Sequence, residues 1–408
     1  MKMKDWKEYR LGEMIQCNPQ VKLEKGKSYT LIDIDSIEIG SRYVKGKELT
    51  EYDGQSGCHF QNGDTVMARI TPCLENGKIA QVQCESQKGF GSTELFVFRG
   101  MENKTDSNYV FNLMSMQFIR DLAANSMTGA SGRQRADLGF IKRIKWNFPP
   151  LSTQQKIASI LSAYDKLIQN YKKQIEALQT AASELYKEWF VRFRFLGWKN
   201  AKFENGIPEG WKIERLGNLF EITSSKRVFE EDYVNEGIPF YRSKEIIELS
   251  NNQEITTELF ISNELYAKFK NKFGVPKEND ILITSVGSIG NSYQVRKDDI
   301  FYFKDGNLTW IKSSSKKALS KYLIYWLKSD LGKNTLISST IGTSQSALTI
   351  EKLRAIKILV PEVNILEKFE QKISSFDIKI QILNKQIANL TQQRDLLLPR
   401  LMSDKLEV

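Results

Sequence analysis

The feature that most constrains this chain is an apolar heptad pattern that occurs twice. The first copy contains Leu161, Tyr164, Ile168, Tyr171, Ile175, Leu178, Ala182 and Leu185, and the second contains Ile373, Phe376, Ile380, Leu383, Ile387, Leu390, Arg394 and Leu397. Residues at alternating three- and four-residue steps keep one seam facing a partner helix. Because neither run contains glycine or proline, each predicts a coiled-coil helix, about 55–60 Å long at 1.5 Å per residue. Two ordinary core helices are the alternative.

The repeat extends beyond these helices to the segments that precede them. Residues 6–12 return as 211–217, residues 63–70 as 279–286, and residues 132–136 as 343–347. Residues 13–60 and 218–275 do not match each other, so a shared scaffold carries different inserts. Short β-branched runs, such as 30–39, 65–70, 79–82 and 95–98, predict strands, whereas residues 108–124 and 320–328 predict helices.

These patterns predict an α+β fold with two mixed, mainly β domains, each followed by one long coiled-coil helix. The predicted divisions are a first globular domain at 1–150, a first spacer helix at 151–198, a second globular domain at 199–361 and a second spacer helix at 362–408. A chain of 408 residues is long enough for two cores.

Composition narrows the choice of compartment and partner. The sequence has no apolar stretch long enough to span a membrane and no signal peptide, so we expect a cytoplasmic protein. The formal net charge is +10 and is spread along the chain rather than collected in a tail. This charge is compatible with a polyanionic partner, although many basic proteins do not bind nucleic acid.

No catalytic, metal or cofactor site is predicted. His59 is the single histidine, and the spacing of Cys17, Cys58, Cys73 and Cys84 matches no zinc finger, so reduced and mostly buried thiols are favoured over a Cys58–His59–Cys73–Cys84 zinc site. There is no phosphate-binding loop sequence. Asn147-Phe148-Pro149-Pro150 has the wrong order for the motif with which adenine methyltransferases hold a flipped base.

Several short motifs, together with the two copies of the repeat, resemble the specificity subunit of type I restriction-modification systems. Residues 149–161, PPLSTQQKIASIL, are similar to that family's Pro-Leu-x-x-Gln-Gln-x-Ile-x-x-x-Leu signature. Further similarities are LYKEWF at 185–190, IPEGW at 207–211 and LLPRL at 397–401. The second helix start, from Pro361 to Phe369, lacks the glutamine pair, which leaves open whether both helix starts make equivalent contacts with partner subunits.

The resemblance implies a non-catalytic, sequence-specific reader of double-stranded DNA. Each globular domain would be a target-recognition domain for one half of a bipartite sequence. The two helices would form an antiparallel intramolecular coiled coil that sets the spacer and relates the two repeated domains by a pseudo-twofold axis. The implied partners are two methyltransferase subunits and, optionally, restriction subunits, with S-adenosylmethionine and ATP/Mg expected on those partners and no cofactor on this chain. The rival interpretations are a coiled-coil scaffold whose domains bind proteins, and an enzyme with an unrecognised site.

Loops rich in glycine and in Arg, Lys, Gln, Ser or Thr are predicted to contact DNA. In the first half they contribute Arg69, Thr71, Lys78, Ser131, Arg133, Gln134 and Arg135. In the second half they contribute Ser224, Lys226, Arg227, Arg242, Ser243, Lys244, Ser285, Ser288, Ser344, Gln345 and Ser346. Solvated surface residues without a DNA contact are the alternative for each of them.

Two groups on the helices have open interpretations. Tyr164, Tyr171 and Arg394 occupy seam positions where Leu or Ile would stabilise more, and they are expected to set register or antiparallel pairing. Alternatively, Arg394 faces solvent where the helices splay. The aromatic cluster of Trp189, Phe190, Phe193, Phe195 and Trp198 is expected to pack between helix end and domain, with a methyltransferase contact as the alternative.

Overall fold

The computed structural model describes residues 5–46, 48–130, 133–251, 255, 257–313, 317–340 and 347–406. The chain divides into two compact units. Unit 1 comprises Met1–Gln174 together with Leu383–Val408, and unit 2 comprises Ile175–Ile382. Among the described residues, no helix is long and apolar enough to cross a membrane.

Unit 1 contains the first globular domain and the first part of one long helix. Its elements are β1 (Lys7–Arg10), α1 (Leu11–Met14), β2 (Ile15–Cys17), β3 (Ser28–Ile32), β4 (Tyr43–Val44), β5 (Leu49–Glu51), β6 (Cys58–Gln61), β7 (Thr65–Ala68), β8 (Ile79–Val82), β9 (Lys88–Gly91), β10 (Leu95–Gly100), α2 (Ser107–Ser115), α3 (Gln117–Asn125), α4 (Leu138–Arg143), β11 (Lys145–Phe148) and the start of α5 (Leu151–Tyr186).

The strands of unit 1 form two larger sheets and one short pair. One sheet has the order β2-β10-β7-β8-β4, the other has the order β5-β3-β9-β6, and β1 pairs with β11. All four residues of β7 and of β8 are buried, as expected for strands covered on both faces. One face packs Met67 and Phe96 against Leu113 and Ile119 of the helices α2 and α3. The predicted DNA-contacting loops start from strands that are anchored in this core.

Unit 2 repeats this plan with a different insert. Its elements are β12 (Phe203–Glu204), β13 (Ile207–Pro208), β14 (Lys212–Arg215), α6 (Leu216–Leu219), β15 (Glu221–Thr223), β16 (Tyr233–Val234), β17 (Ile238–Tyr241), α7 (Ser243–Ser250), β18 (Phe260–Ile261), α8 (Asn263–Lys272), β19 (Ile281–Thr284), β20 (Ser292–Gln294), β21 (Tyr302–Phe303), β22 (Leu308–Lys312), α9 (Lys317–Lys328), α10 (Asp330–Ser338), α11 (Ile350–Ala355), β23 (Lys357–Val360) and the start of α12 (Val363–Met402).

The sheets of unit 2 show which part of the repeat is shared. The order β15-β22-β19-β20 matches β2-β10-β7-β8, and the pair β14-β23 matches β1-β11. In the second larger sheet, β16-β18-β17-β21, the first three strands come from the unmatched insert, which also contains α7 and α8, and β21 lies outside it. The mixed α and β architecture and the internal repeat predicted from the sequence are therefore confirmed.

The two long helices are antiparallel within each unit. In unit 1, Asp165 of α5 forms an ion pair with Arg394 of α12, with 2.8 Å between Oδ1 and Nη1. In unit 2, the Tyr186 ring at the end of α5 lies 6.4 Å from that of Phe369 near the start of α12. At 36 and 40 residues, α5 and α12 are about 54 and 60 Å long. The long helices predicted from the heptads are confirmed.

The aromatic cluster predicted at the end of the first helix belongs to the core of unit 2. Trp189, Phe190 and Phe195 are buried with Trp211, and the Phe190 ring lies 4.8 Å from that of Phe369. Trp198 keeps 39% of its surface exposed. The cluster thus packs a helix end against its domain, as expected.

Two of the predicted elements need correction. The helix predicted at 108–124 is two helices, α2 and α3, because Met116 between them has an extended backbone with φ −60° and ψ 132°. The strand predicted at 30–39 ends at Ile32, and a 3-10 turn at Ile34–Ser36 follows it. Neither break contains a glycine or a proline, the residues that mark most breaks in a sequence.

Candidate nucleic-acid interface

In unit 1, two loop segments bring most of the predicted residues of the first half together. One follows β7 and the other precedes α4. The Thr71 amide donates to the Gln134 carbonyl at 3.0 Å, and the Ala136 amide donates to the Arg69 carbonyl at 2.8 Å. These backbone bonds place Arg69, Thr71, Gln134 and Arg135 at one end of the sheet. Ser131 lies outside the described residues, and Arg133 is exposed.

Arg135 is held by a carboxylate that the sequence did not single out. Its Nε donates to Glu94 Oε2 at 2.8 Å, and its Nη2 donates to Oε1 at 2.5 Å. The hydrogen bond from Arg135 lowers the pKa of Glu94, and its positive charge adds to that effect. The pair uses the Nε edge of the guanidinium and leaves the Nη1 group outside it. A guanidinium oriented in this way can present its end to the O6 and N7 atoms of guanine.

Arg69 lines a polar cleft of about 450 Å³ in the first domain. Its guanidinium carbon lies 4.9 Å from the centre of the Phe96 ring, and its Nε is buried without a hydrogen-bond acceptor among the described residues. The cleft is also lined by Asn18, Gln20, Lys22, Cys58, His59 and Thr93. All of these except Thr93 lie in the unmatched insert, for which the second half of the repeat has no counterpart.

His59 has both ring nitrogens engaged within the first domain. Nδ1 lies 2.9 Å from the Val21 carbonyl oxygen, and Nε2 lies 3.2 Å from the Tyr52 hydroxyl. A zinc ion would have to displace one of these contacts.

Thr71 and Lys78 lie beside this cluster but use their side chains within the protein. Thr71 Oγ1 donates to Glu75 at 2.8 Å. Lys78 Nζ donates to the Ile34 carbonyl at 3.0 Å, and its side chain is only 19% exposed. A DNA contact by either side chain would require these bonds to open.

The second domain repeats the backbone of this site with different side chains. The Arg69 amide donates to the Glu94 carbonyl at 2.9 Å, and the Ser285 amide donates to the Asn307 carbonyl at 2.8 Å. The Ser285 carbonyl accepts from Leu348 just as the Arg69 carbonyl accepts from Ala136. Ser285 and Asn307 therefore stand where the first domain has Arg69 and Glu94.

The same bonds correct the alignment of the two halves. An isolated bridge joins Ile70 to Arg135 in unit 1, and the equivalent bridge joins Val286 to Ala347 in unit 2. Arg135 thus corresponds to Ala347, one residue further along than the predicted alignment of 132–136 with 343–347. The charged trio of Arg69, Glu94 and Arg135 is replaced in the second domain by Ser285, Asn307 and Ala347.

Among the other predicted residues of this region, Ser285 and Ser288 differ in exposure. Ser285 is 3% exposed, and its hydroxyl lies 2.6 Å from that of Thr309, so its position favours a structural role over a base contact. Ser288 is exposed beside it, in the loop after β19. Ser344, Gln345 and Ser346 lie outside the described residues.

A second group of predicted residues surrounds the loop between β21 and β22. The Lys226 amide donates to the Tyr302 hydroxyl at 2.8 Å, and Arg227 Nε lies 3.0 Å from Asp305 Oδ2. Ser224 Oγ donates to the Leu308 carbonyl at 3.3 Å. The structure therefore brings these residues of the insert next to β22, which begins directly after Asn307, the equivalent of Glu94 in the first domain.

Arg242 begins α7 beside the same loop. Its Nη2 lies 3.0 Å from Glu245 Oε1, and this hydrogen bond raises the pKa of Arg242 despite partial burial. With Lys304, Glu230, Tyr233 and Leu259 it lines a cleft of about 400 Å³. Lys304, whose amide donates to the Tyr241 carbonyl at 2.8 Å, was not predicted from the sequence, because only the fold places it beside Arg242.

The two residues after Arg242 differ in exposure. The hydroxyl of Ser243 is buried without a hydrogen-bond partner among the described residues. Lys244 is exposed and lies 3.9 Å from Glu248 on the same helix.

The repeated scaffold is matched by a family model described as the type I restriction modification DNA specificity domain, over residues 3–180 and 208–392. The chain belongs to this family. The family resemblance seen in the helix motifs is thereby confirmed, and the scaffold interpretation is not supported. As a type I specificity subunit, this chain recognises DNA sequence-specifically, has no catalytic activity of its own and associates with other subunits of a restriction-modification complex.

Individual relatives agree with this assignment. The MjaIX specificity subunit of Methanocaldococcus jannaschii is 31% identical over 309 residues, which are 74% of this specificity subunit and 68% of that one. The MjaVIII specificity subunit of the same organism is 24% identical over 99% of this chain and 93% of that one. The crystal structure of a type I S subunit from M. genitalium superimposes with a TM-score of 0.54 at 17% identity, covering 98% and 97% of the two chains, and shows the same fold.

Proposed function

We propose that this specificity subunit reads an asymmetric, bipartite DNA target, with one half-site assigned to each globular domain. The observation that carries the proposal is the shared backbone with different side chains at the equivalent loops. Arg69, Glu94 and Arg135 offer charged donors and a carboxylate, whereas at the equivalent positions of the second domain Asn307 offers an exposed amide, Ser285 is buried and Ala347 has no polar group. Side chains of different hydrogen-bonding type select different base edges in the major groove.

The residues that contact DNA in the first domain are proposed to be those around the Arg69 cleft. Arg69 and Lys22 supply positive charge there, and Arg135 is oriented beside them by Glu94. In the second domain the proposed contacts are Lys226, Arg227, Arg242, Lys304 and Ser288, which are exposed or line a cleft near the equivalent loop. Their charges also favour the phosphate backbone.

The helix pair is proposed to set the number of unspecified base pairs and to dock two methyltransferase subunits. Support comes from apolar side chains that remain exposed on the helices: Ile160 at 38%, Leu167 at 37%, Ile378 at 57% and Leu396 at 62%. Exposed apolar groups on a helix are typical of protein contacts. The proposal also includes restriction subunits as optional partners. S-adenosylmethionine and ATP/Mg are proposed to bind the partner subunits, and the complex is proposed to be cytoplasmic.

Mapping of methylated adenines in the host genome, with and without this gene, tests the proposal directly. The expected result is one motif with two unlike half-sites and a fixed spacer, modified only when the gene is present. Restoring the gene should restore the motif. An unchanged methylation pattern after deletion, or a symmetric motif, would contradict it. Mobility shift with the methyltransferase subunit on fragments carrying the motif provides the matching binding measurement.

A further inference from the structure

A buried ion network joins the first domain to both long helices within unit 1. Asp165 on α5 is 5% exposed, and its two oxygens face two arginines. Oδ2 accepts from Arg42 Nη1 at 2.8 Å, and Oδ1 accepts from Arg394 Nη1 at 2.8 Å. Arg42 belongs to the insert of the first domain, while Arg394 lies on α12.

Every N–H group of the Arg42 guanidinium has a hydrogen-bond acceptor. Nε and Nη2 both donate to Gln81 Oε1 at 3.3 Å. Nη1 donates to Asn112 as well as to Asp165, and Nη2 donates to Asn108 at 3.0 Å. These bonds use all five guanidinium donors, and the group also lies 4.6 Å from the centre of the Phe111 ring. Such a site holds its carboxylate partner in one position.

Arg394 completes the network from the second helix. It is a seam residue, and its side chain is only 18% exposed, so the alternative in which it faces solvent is wrong. Burial opposes its charge, but the hydrogen bond and the charge of Asp165 outweigh burial and raise the pKa of Arg394. Asp395 lies 2.9 Å from its Nη2, so two arginines face two carboxylates.

The seam around Arg394 is otherwise apolar. Its neighbours in the seam, Leu390 and Leu397, lie about one turn before and after it. A displacement of α12 along α5 by one turn, about 5.4 Å, would therefore leave Asp165 without a cation from α12. An apolar seam by itself tolerates such shifts, whereas a single polar contact within it specifies register. Removal of one partner from a buried ion pair is strongly unfavourable, because the remaining charge is uncompensated.

At the equivalent position of the second half, the pair between α5 and α12 is replaced by a contact between α12 and its own domain. Asp377 on α12 corresponds to Asp165 and lies 2.8 Å from Lys321 of its own domain. The α5 residue that corresponds to Arg394 is Ala182, which has no charge to offer. Asp377 is also more exposed, at 36% of its side chain.

We propose that Asp165 is the positioning residue that fixes α12 against α5 and the first domain, and that this lock limits the subunit to one spacer length. The inference rests on the proposed bipartite function. One base pair more or less moves a half-site by about 3.4 Å along the duplex and turns it by about 34–36°. A first unit in which α12 is fixed cannot follow that displacement of the half-site. A weaker contact between α12 and α5 lets the unit follow part of it.

Arg394→Leu tests the lock with little risk to folding, because leucine suits the seam and the Arg42–Asp165 pair remains. Co-expressed with its methyltransferase subunit, the variant is compared with wild type on half-sites separated by spacers of graded length. Methylation at spacers one base pair too long or too short should rise at least about tenfold relative to the preferred spacer, with the half-site bases unchanged. Arg394→Lys should behave as wild type, and so should Gln393→Leu, which changes an exposed neighbour.

Three results distinguish the lock from other roles. An unchanged single spacer preference in folded Arg394→Leu overturns the inference and leaves the proposed function intact. Altered half-site bases with the wild-type spacer also overturn it. If the leucine variant does not unfold cooperatively, Arg394→Gln takes its place and is judged by the same spacer measurement. A wild-type complex with no bipartite motif refutes the proposed function itself.

Discussion

At the scale of single residues, the Arg135–Glu94 pair determines how one guanidinium is presented to a ligand. Its side-on contact with the carboxylate restricts the arginine rotamers before any DNA arrives. Orientation before binding reduces the entropy lost on association. Glu94 also repels phosphate, so this pair suits a base edge better than the DNA backbone.

Arg135→Ala should therefore weaken binding to the cognate site by roughly 10- to 100-fold and relax selectivity at one base pair of the first half-site. Fluorescence anisotropy of the complete methyltransferase complex on cognate and singly substituted duplexes measures both effects. Arg143→Ala is the matched control, because it removes an exposed arginine of the same domain. Equal losses on all duplexes would instead identify Arg135 as a phosphate contact.

The same pair predicts a dependence of stability on pH. Arg135 lowers the folded-state pKa of Glu94 below its usual value of 4.5. A carboxyl whose pKa is depressed by folding stabilises the protein above its unfolded-state pKa, and this stabilisation is lost as pH falls through the lower, folded-state value. The difference in unfolding free energy between wild type and Glu94→Gln should thus shrink as pH falls below 4.5. Urea unfolding over a pH series measures it, and a pH-independent difference contradicts it.

At the scale of elements, a buried glutamine at the start of α5 forms hydrogen bonds with the first domain. Gln154 is 0% exposed. Its Oε1 accepts from the Asp106 amide at 3.1 Å, and its Nε2 donates to the carbonyls of Lys104 and Pro149. The first glutamine of the helix-start motif is therefore structural, and its counterpart on α12, Leu366, is buried without that role. The missing glutamine pair in the second copy reflects a different domain attachment.

Gln154→Ala should destabilise the first unit by roughly 1–3 kcal/mol, since it leaves buried backbone groups without partners. Gln155→Ala is an adjacent control in which the side chain is exposed, and it should change the free energy of unfolding by no more than about 0.5 kcal/mol. Chemical denaturation followed by circular dichroism gives both values. Equal effects of the two substitutions would rule out the proposed attachment.

The elements also show what the sequence could and could not predict. Heptad spacing predicted α5 and α12 because a long apolar seam needs no knowledge of the rest of the fold. The break at Met116 could not be predicted from its own segment, because neither glycine nor proline marks it. The equivalent break, between α9 and α10, is marked in the sequence by Ser329, because serine is a common N-cap residue. Its hydroxyl accepts from the Gly332 amide at 3.1 Å.

The predicted interface divides in the same way. Residue type and loop position identified Arg69 and Arg135, which the structure brings together. Glu94 and Lys304 were missed because their relevance depends on a partner distant in sequence, 41 residues away in the case of Glu94. Ser285 was chosen by residue type, yet the strand end that carries it turns its hydroxyl into the core.

At the scale of the whole molecule, the alternation of domains and helices makes the spacer adjustable separately from the half-sites. Residues that line the two clefts lie in the globular domains, and none of them belongs to α5 or α12. A change in helix length should therefore alter the distance between the two readers and leave their base contacts unchanged.

Insertion of one heptad into both α5 and α12, at facing positions of the seam, should lengthen the preferred spacer. Seven residues add about 10 Å of helix, which corresponds to about three base pairs at 3.4 Å each. Insertion into one helix alone should abolish bipartite binding, because the seam would pair out of register and Asp165 could no longer face Arg394. Methylation mapping of each variant gives spacer and half-sites in one measurement. An altered half-site with the original spacer would show that the helices position base-reading loops instead of measuring distance.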